Sequence, residues 1–451
     1  MRFTGGTLVL DDGGRVPAYR FGALAEDADA RGVALAGDLR PTWSIDERDA
    51  GHLGLRPYQK DALDRWTRAR RRGVVALPTG AGKTRVAIAA ILTCGLPALV
   101  LCPTRVLLRS WVKELTELVG ERIGVVGDGT SRLERITVMT FESAYRRMDF
   151  FGHRFGLLVV DEAHHFASGL RSEALEACAA IARLGLSATA PAADTEGARR
   201  LRDLIGPVVV EVPVEALVGK HLAPLELVPI LVELDPEERE EYELKSRPFI
   251  EARRAYFRRN RFADYNAMLR DFGRYTRGRA LLRDWARATR LACFPRAKRE
   301  LIASLLERHR DDRSIVFTAH VEDAYAVAEQ SLIPVITGEV GARERQRILS
   351  RFKAGTLRAI ASARVLNEGV DVPDARVAIV ASSSLGLREH VQRIGRVLRP
   401  APGKTALVYE LVTHATVDER IAAARRRRRS RGRGEALVGE PRDEGENDAS
   451  V

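Results

Sequence analysis

Residues 74–85 read VVALPTGAGKTR. A short apolar run ends in Pro78, Thr79, Gly80, Ala81 and Gly82. Lys83 and Thr84 then open a second apolar run, VAIAAIL at 86–92. Strand, small-residue loop and helix in that order bring backbone N–H groups up to phosphate oxygens at a helix N-terminus. Lys83 can neutralise the β and γ oxygens, and the Thr84 hydroxyl can ligate magnesium. The strict template GxxxxGK[ST] would place Gly at position 77, where this chain has Leu77. Gly80, Gly82, Lys83 and Thr84 remain, and these are the residues that phosphate binding most needs.

Working outward, short apolar runs recur between helix-like stretches: ALVLC (98–102), ITVMT (136–140), LLVV (157–160) and LGLSA (184–188). Continuous apolar strands separated by helices predict a parallel sheet covered on both faces. The same grammar returns in SIVFTA (314–319), RAIASA (358–363), RVAIVAS (376–382) and TALVYEL (405–411). The expected fold class is therefore α/β, with two parallel-sheet domains at 55–225 and 300–424. Between them lies a basic helical module at 226–299. A small N-terminal domain occupies 1–54, and an Arg-rich then acidic tail 425–451.

Two carboxylates end one of these strands, in LLVVDEAHH at 157–165. Asp161 at a strand's carboxyl end can hold magnesium through water, and Glu162 can polarise an attacking water. A solvated surface turn is the bland alternative. A phosphate loop some 80 residues upstream in the same sheet argues against it. The strand end carrying the acids is expected beside the strand end carrying the loop. In LGLSATAP, Ser187 and Thr189 are placed to hydrogen-bond the acidic loop and relay its state. In QRIGRVLRP (392–400), Arg396 and Arg399 share one helix face with Gln392. Arginines offered to a γ-phosphate are the chemistry of an arginine finger.

The chain has 451 residues, 45% hydrophobic and 30% charged, with a net charge of +12. That is a globular composition, and the charge points to an anionic partner, nucleic acid or an anionic surface. No apolar run approaches the ~20 residues that span a bilayer. The N-terminus lacks a signal pattern, so a cytoplasmic protein without a membrane partner is expected. Cys94, Cys102, Cys178 and Cys293 show no metal-ligand spacing and read as free thiols. Between Lys245 and Arg299 stand 17 Lys or Arg and four acids, a difference of +13. Aromatics are interleaved: Phe249, Tyr256, Phe257, Phe262, Tyr265, Phe272, Tyr275 and Trp285. The segment reads as a helical element gripping nucleic-acid phosphates, or as a solvated hairpin whose aromatics pack its own core. The Arg run at 425–429 adds non-specific nucleic-acid affinity or is a solvated tail.

In order along the chain, these pieces resemble the superfamily 2 helicases and translocases. The series runs LRPYQ (55–59), LPTGAGKT (77–84), LCPTRVLLRSW (101–111), TVMTFES (137–143), VVDEAHH (159–165), LSAT (186–189), IVFTA (315–319), ARVLNEGVDVPDA (363–375) and QRIGRVLRP (392–400). Within the superfamily, DEAHH, QRIGRVLRP and the basic insertion are most similar to the XPB family. The resemblance implies two RecA-like domains, ATP with Mg2+ as cofactors and DNA as the partner. It implies that Gln59, with Arg56 nearby, reads adenine, and that Pro78 to Thr84 hold the phosphates. It makes Lys83, Asp161, Glu162, Gln392, Arg396 and Arg399 the catalytic set, with Thr84 and Asp161 on the metal. Gly369 and Asp371 would sense nucleotide and strand. Pro103, Thr104, Arg105 and Thr140 would contact the sugar–phosphate backbone, and Ser187 and Thr189 would couple the two sites. Residues 236–290 match a helical thumb module in placement and charge, and 1–54 could match a DNA-contacting domain. One departure stands out. Where XPB-like proteins carry an Arg-Glu-Asp triplet implicated in strand separation, this chain reads Ala192-Ala193-Asp194. A helicase acting in repair, a duplex translocase serving a defence or restriction complex with a nuclease partner, and an RNA helicase all remain open at this stage.

Overall fold

The structure, a computed structural model, describes residues 2–10, 13–31, 49–191, 194–363, 375–382 and 405–424. Contacts divide the chain into two compact units, one built mainly on the residues up to Leu225 and the other on those from Glu226.

The first unit opens with β1 (Arg2–Thr4), β2 (Thr7–Val9) and β3 (Arg15–Pro17), a small antiparallel sheet, and α1 (Phe21–Ala30). Then follow α2 (Pro57–Arg68), β4 (Arg72–Ala76), α3 (Lys83–Cys94), β5 (Ala98–Cys102), α4 (Arg105–Val119), β6 (Ile123–Gly127), β7 (Thr130–Arg132), β8 (Ile136–Thr140) and α5 (Phe141–Phe151). The unit is completed by β9 (Leu157–Val160), α6 (Glu173–Glu176), β10 (Ala182–Ser187), α7 (Glu196–Leu204), β11 (Val208–Glu211) and α8 (Val214–Leu217). The main sheet has eight strands in the order β11-β4-β10-β9-β5-β8-β6-β7. All pairings in it are parallel except β6–β7. The central strands are buried on both faces, which explains their continuous apolar sequences. Helix α3 is buried from Val86 to Leu92 and forms the middle of the packing.

One expectation is corrected here. The strand ending in the phosphate loop (β4) and the strand ending in Asp161 (β9) are not neighbours. The strand carrying Ser187 (β10) pairs with both and separates them, with Gly185 opposite Val74 on one side and Val160 on the other. The chain order of the strands does not fix their spatial order in a doubly wound sheet, because each crossover can reach past a neighbour.

The small N-terminal sheet belongs to this same unit. Leu8, Ala18 and Phe21 bury themselves against Ala179. Ala179 lies just before β10, and Gly22 approaches Ile181 and Arg72 at the start of β10 and β4. The N-terminal elements therefore dock at the amino ends of the strands. Arg183, fully buried at the start of β10, steadies the same edge. Its guanidinium donates to the carbonyls of Ala180, Leu175 and Leu204 at 3.1, 3.1 and 2.7 Å, and to that of Cys178.

The second unit contains β12 (Leu225–Val232), α9 (Pro236–Arg259), α10 (Tyr265–Arg274), α11 (Thr276–Cys293), α12 (Arg296–Arg308), β13 (Ser314–Thr318), α13 (Val321–Ser331), β14 (Val335–Ile336), α14 (Ala342–Lys353), β15 (Ala359–Ala363), β16 (Val377–Val380) and β17 (Ala406–Thr413). Its six-stranded sheet has the order β12-β17-β16-β13-β15-β14. The basic segment is helical, as its composition predicts, but it is three helices rather than one hairpin. Phe249, Met268 and Phe272 form its apolar centre, with Tyr256, Phe257 and Trp285 packed around them. Lys298 on α12 is fully buried and donates to Asp418 at 2.8 Å, to Ala381 O at the end of β16 at 2.9 Å and to Cys293 O at 3.1 Å.

Candidate nucleotide site

Five strands of the first unit end at one edge of the sheet, and each delivers a sequence-assigned residue there. The loop 78–82 follows β4, Pro103 and Thr104 follow β5, Thr140 ends β8, Asp161 follows β9 and Ser187 ends β10. Crevices at the carboxyl ends of parallel strands are where open α/β sheets take ligands.

Gly80 and Gly82 have φ of 85° and 77°, the left-handed region that a side chain resists. A Cβ on Gly82 would also run into Gln59 Nε2. The loop is clamped from behind by α2. Tyr58 Oη and Gln59 Nε2 both donate to Ala81 O at 2.8 Å, and Gln59 Oε1 accepts the N–H of Arg56 at 2.8 Å. Among the described residues, no acceptor takes the N–H of Gly80, Gly82, Lys83 or Thr84. Unpaired N–H groups at the start of α3, with a lysine beside them, fit a polyphosphate. Lys83 Nζ turns back to Leu77 O at 3.1 Å. A pocket of about 350 Å³ lies here, lined by Gly54, Arg56, Gln59, Gly80, Ala81, Gly82 and Arg85. The side-chain amide of Gln59 is fully engaged inside the chain, so reading a base requires it to exchange these partners. Arg56 donates to His221 O at 2.9 Å.

Asp161 is held by the sheet, its N–H donating to Leu101 O at 2.8 Å. Trp111 Nε1 donates to its Oδ2 and the Glu162 N–H to its Oδ1, both at 2.9 Å. Burial, then the charge of Glu162, raises the Asp161 carboxyl above the usual carboxylate range. Glu162 turns in the left-handed region at φ 49°. Burial acts upward on its carboxyl as well, but Lys83 and His164 outweigh it and hold it below the usual carboxylate range. His164 Nδ1 lies 3.3 Å from Glu162 Oε2 and 3.5 Å from Ser187 Oγ. Ser187 Oγ donates to Thr189 O at 2.7 Å. His164 Nδ1 thus lies between Glu162 and Ser187, and the Ser187 hydroxyl turns on to Thr189.

Thr104 and Thr140 cap α4 and α5, accepting the N–H of Leu107 at 3.3 Å and of Ser143 at 3.2 Å. Their strands are neighbours, with Cys102 opposite Thr140. Two helix N-termini therefore stand side by side. Arg105 beside them is exposed and 3.8 Å from Asp128. Gly369, Asp371, Gln392, Arg396, Arg399, Ala192, Ala193 and the tail 425–451 lie outside the described residues.

Trp111, Tyr58 and His164 were not singled out by sequence. Trp111 had a signal. Leu108, Trp111, Leu115 and Val119 form the buried stripe of α4, and an indole N–H on such a stripe needs an acceptor.

Fold and site together fit a nucleotide-binding α/β protein of the phosphate-loop class. A family model described as Type III restriction enzyme, res subunit, matches residues 52–192, and one described as Helicase conserved C-terminal domain matches 297–401. The chain is similar to the DNA 3'-5' translocase XPB2 of Sulfurisphaera tokodaii, at 34% identity over 83% of this chain and 85% of that one. It is 30% identical to the DNA 3'-5' helicase XPB of Kineococcus radiotolerans, over 83% of this chain and 62% of the relative. Among solved structures, the Hef helicase domain of Pyrococcus furiosus shares the fold, with a TM-score of 0.52 at 16% identity over 83% of this chain and 99% of that one. The chain belongs to the XPB family of superfamily 2 helicases and translocases. Among the described residues no helix is long and apolar enough to cross a membrane.

Proposed function

We propose that this chain is a Mg2+- and ATP-dependent motor that moves 3'-to-5' on DNA in genome maintenance, and that it tracks along duplex DNA more readily than it separates the strands. The observation that carries the reading is the convergence of Lys83, Asp161, Glu162 and Ser187 on the carboxyl edge of one sheet. The printed names of two relatives, a 3'-5' translocase and a 3'-5' helicase, support the direction. Ala192 and Ala193, in place of two charged side chains, support translocation over strand separation.

When bound, Mg·ATP supplies the γ-phosphoryl group that water attacks. The N–H groups of Gly80, Gly82, Lys83 and Thr84 would cradle its phosphates, and the Thr84 hydroxyl and Asp161 carboxylate would hold the metal. Asp161 has a lone pair left on each oxygen after its two hydrogen bonds, which suits contact through water. Lys83 and His164 keep the Glu162 carboxyl ionised, so Glu162 would polarise the attacking water and accept its proton as the bond to phosphorus forms. His164 and Ser187 would carry the state of Glu162 towards Thr189. Arg396 and Arg399 would supply the arginine-finger charge, with the neutral Gln392 beside them as a hydrogen-bonding group. The N-termini of α4 and α5, with Arg105, would grip DNA phosphates.

ATPase rates without nucleic acid and with single-stranded DNA, duplex DNA and RNA test the proposal. Duplex DNA is expected to stimulate most. Glu162→Gln should lower the stimulated rate by about 10²–10⁴ while nucleotide still binds. A rate that no DNA changes would overturn the motor, and RNA as the best activator would overturn the substrate. Triplex displacement beside strand displacement decides between tracking and opening; efficient duplex opening would reverse that preference.

A further inference from the structure

The mechanism above leaves the tip of the basic module unused. Helix α9 ends at Asn260, whose side-chain amide donates to Tyr256 O at 3.0 Å. Asp264 opens α10 by accepting the Ala267 N–H at 2.6 Å. Between them, Ala263 N donates to Asn260 O at 3.1 Å and closes a tight turn. Both helix ends are capped, so the turn is a built corner. Phe262 stands on it with its side chain wholly in solvent.

The module has an apolar interior that takes aromatic rings. Phe249 is 1% exposed and stacks on Trp285 at 4.8 Å, and Phe272 meets Phe249 edge-on at 6.2 Å. Phe262 points away from that interior. Arg258, Arg259 and Arg261 beside it are exposed, and none of them forms an ion pair among the described residues. The acid of the turn, Asp264, is engaged as a helix cap. A single exposed ring means little by itself. A ring among three cations that outnumber the one acid of the turn is different, because one ligand must satisfy both. Single-stranded nucleic acid does, offering phosphates to the cations and flat base faces to the ring.

We propose that Phe262 stacks on an unpaired base where single-stranded and duplex DNA meet, while the neighbouring arginines hold the phosphates. This rests on the DNA-motor reading. It adds a contact that reads base exposure, where the remaining assigned contacts read only backbone.

The test compares the full chain with Phe262→Ala and Phe262→Trp, on a forked DNA with 2-aminopurine at the junction and on blunt duplex of equal length. The wild type should change the probe's fluorescence. Phe262→Ala should abolish that change and bind the fork about 5- to 150-fold more weakly, the range set by one base stacking on an aromatic ring. Its duplex affinity and duplex-stimulated ATPase should stay at wild-type levels, and Phe262→Trp should restore fork binding. Equal fork affinity in Phe262→Ala, or an equal loss on fork and duplex, overturns the proposal. So does binding to phosphatidylserine vesicles that depends on Phe262 when fork binding does not. Failure of the motor reading is distinguishable, because it is seen in the wild type alone as an ATPase indifferent to DNA.

Discussion

Trp111 joins α4 to Asp161, the acid proposed to hold the metal, through one hydrogen bond from indole to Asp161 Oδ2. The acceptor is buried and ionisable, so the bond belongs to the stronger class, about 1.5–3 kcal/mol. Trp111→Phe keeps an aromatic ring in the core while removing the donor and part of the ring volume. It should destabilise the fold by about that amount in urea unfolding, and it should lower turnover more than nucleotide affinity. Gly82→Ala tests the loop directly. With φ at 77° and Gln59 in the way, the variant should lose nucleotide binding, as read by a fluorescent ATP analogue. At this scale the sequence spoke clearly for Gly80, Gly82, Lys83, Asp161 and Glu162, whose chemistry is local. It was silent on His164, because the contact with Ser187 spans 23 residues and two strand ends.

Among the elements, Lys298 ties α12 to the end of β16 and to Asp418, with both side chains fully buried. Lys298→Met removes the buried cation that faces the Asp418 carboxylate and should cost about 3–5 kcal/mol of unfolding free energy. Adding Asp418→Asn, which removes the charge yet keeps an oxygen for the Thr413 N–H, should recover part of the loss. Asp323, in the first turn of α13, offers a pH test. Burial raises its carboxyl to about 6 against the pull of Arg290. The folded chain thus holds this proton more tightly than the unfolded chain does. The stability linked to it is present at low pH and is lost as pH rises through the window from about 4 to 6. Denaturation midpoints of wild type and Asp323→Asn across that window should show the wild type losing ground as pH rises. The strands that sequence reading found, such as β5, β8 and β9, are buried on both faces and announce themselves as apolar runs. In the two larger sheets it passed over β7, β11 and β12, where exposed residues break the pattern, β14, which has only two residues, and β6, where Gly124 and Gly127 interrupt the apolar run. The place of β10 between β4 and β9 is a matter of crossover geometry and leaves no mark on the local sequence.

For the whole molecule the governing quantity is charge. The excess of +13 between Lys245 and Arg299 slightly exceeds the +12 of the entire chain. DNA affinity should therefore fall steeply with salt, by a slope of about 0.9 in log affinity per log salt for each phosphate neutralised. Replacing Arg258, Arg259 and Arg261 by Gln should flatten the slope by about 0.9 for each contact removed, a change read by anisotropy titrations at several salt concentrations. Unchanged slopes would move the binding surface elsewhere.

The three short strands that dock beside Ala179 have a practical bearing. They sit at the opposite end of the β-layer from the phosphate loop, attached through an apolar patch of their own. An optical-trap handle or surface linker fixed there, for instance near Arg15, would load the protein from its far side. Stepping under force could then be recorded without obstructing entry of the fuel.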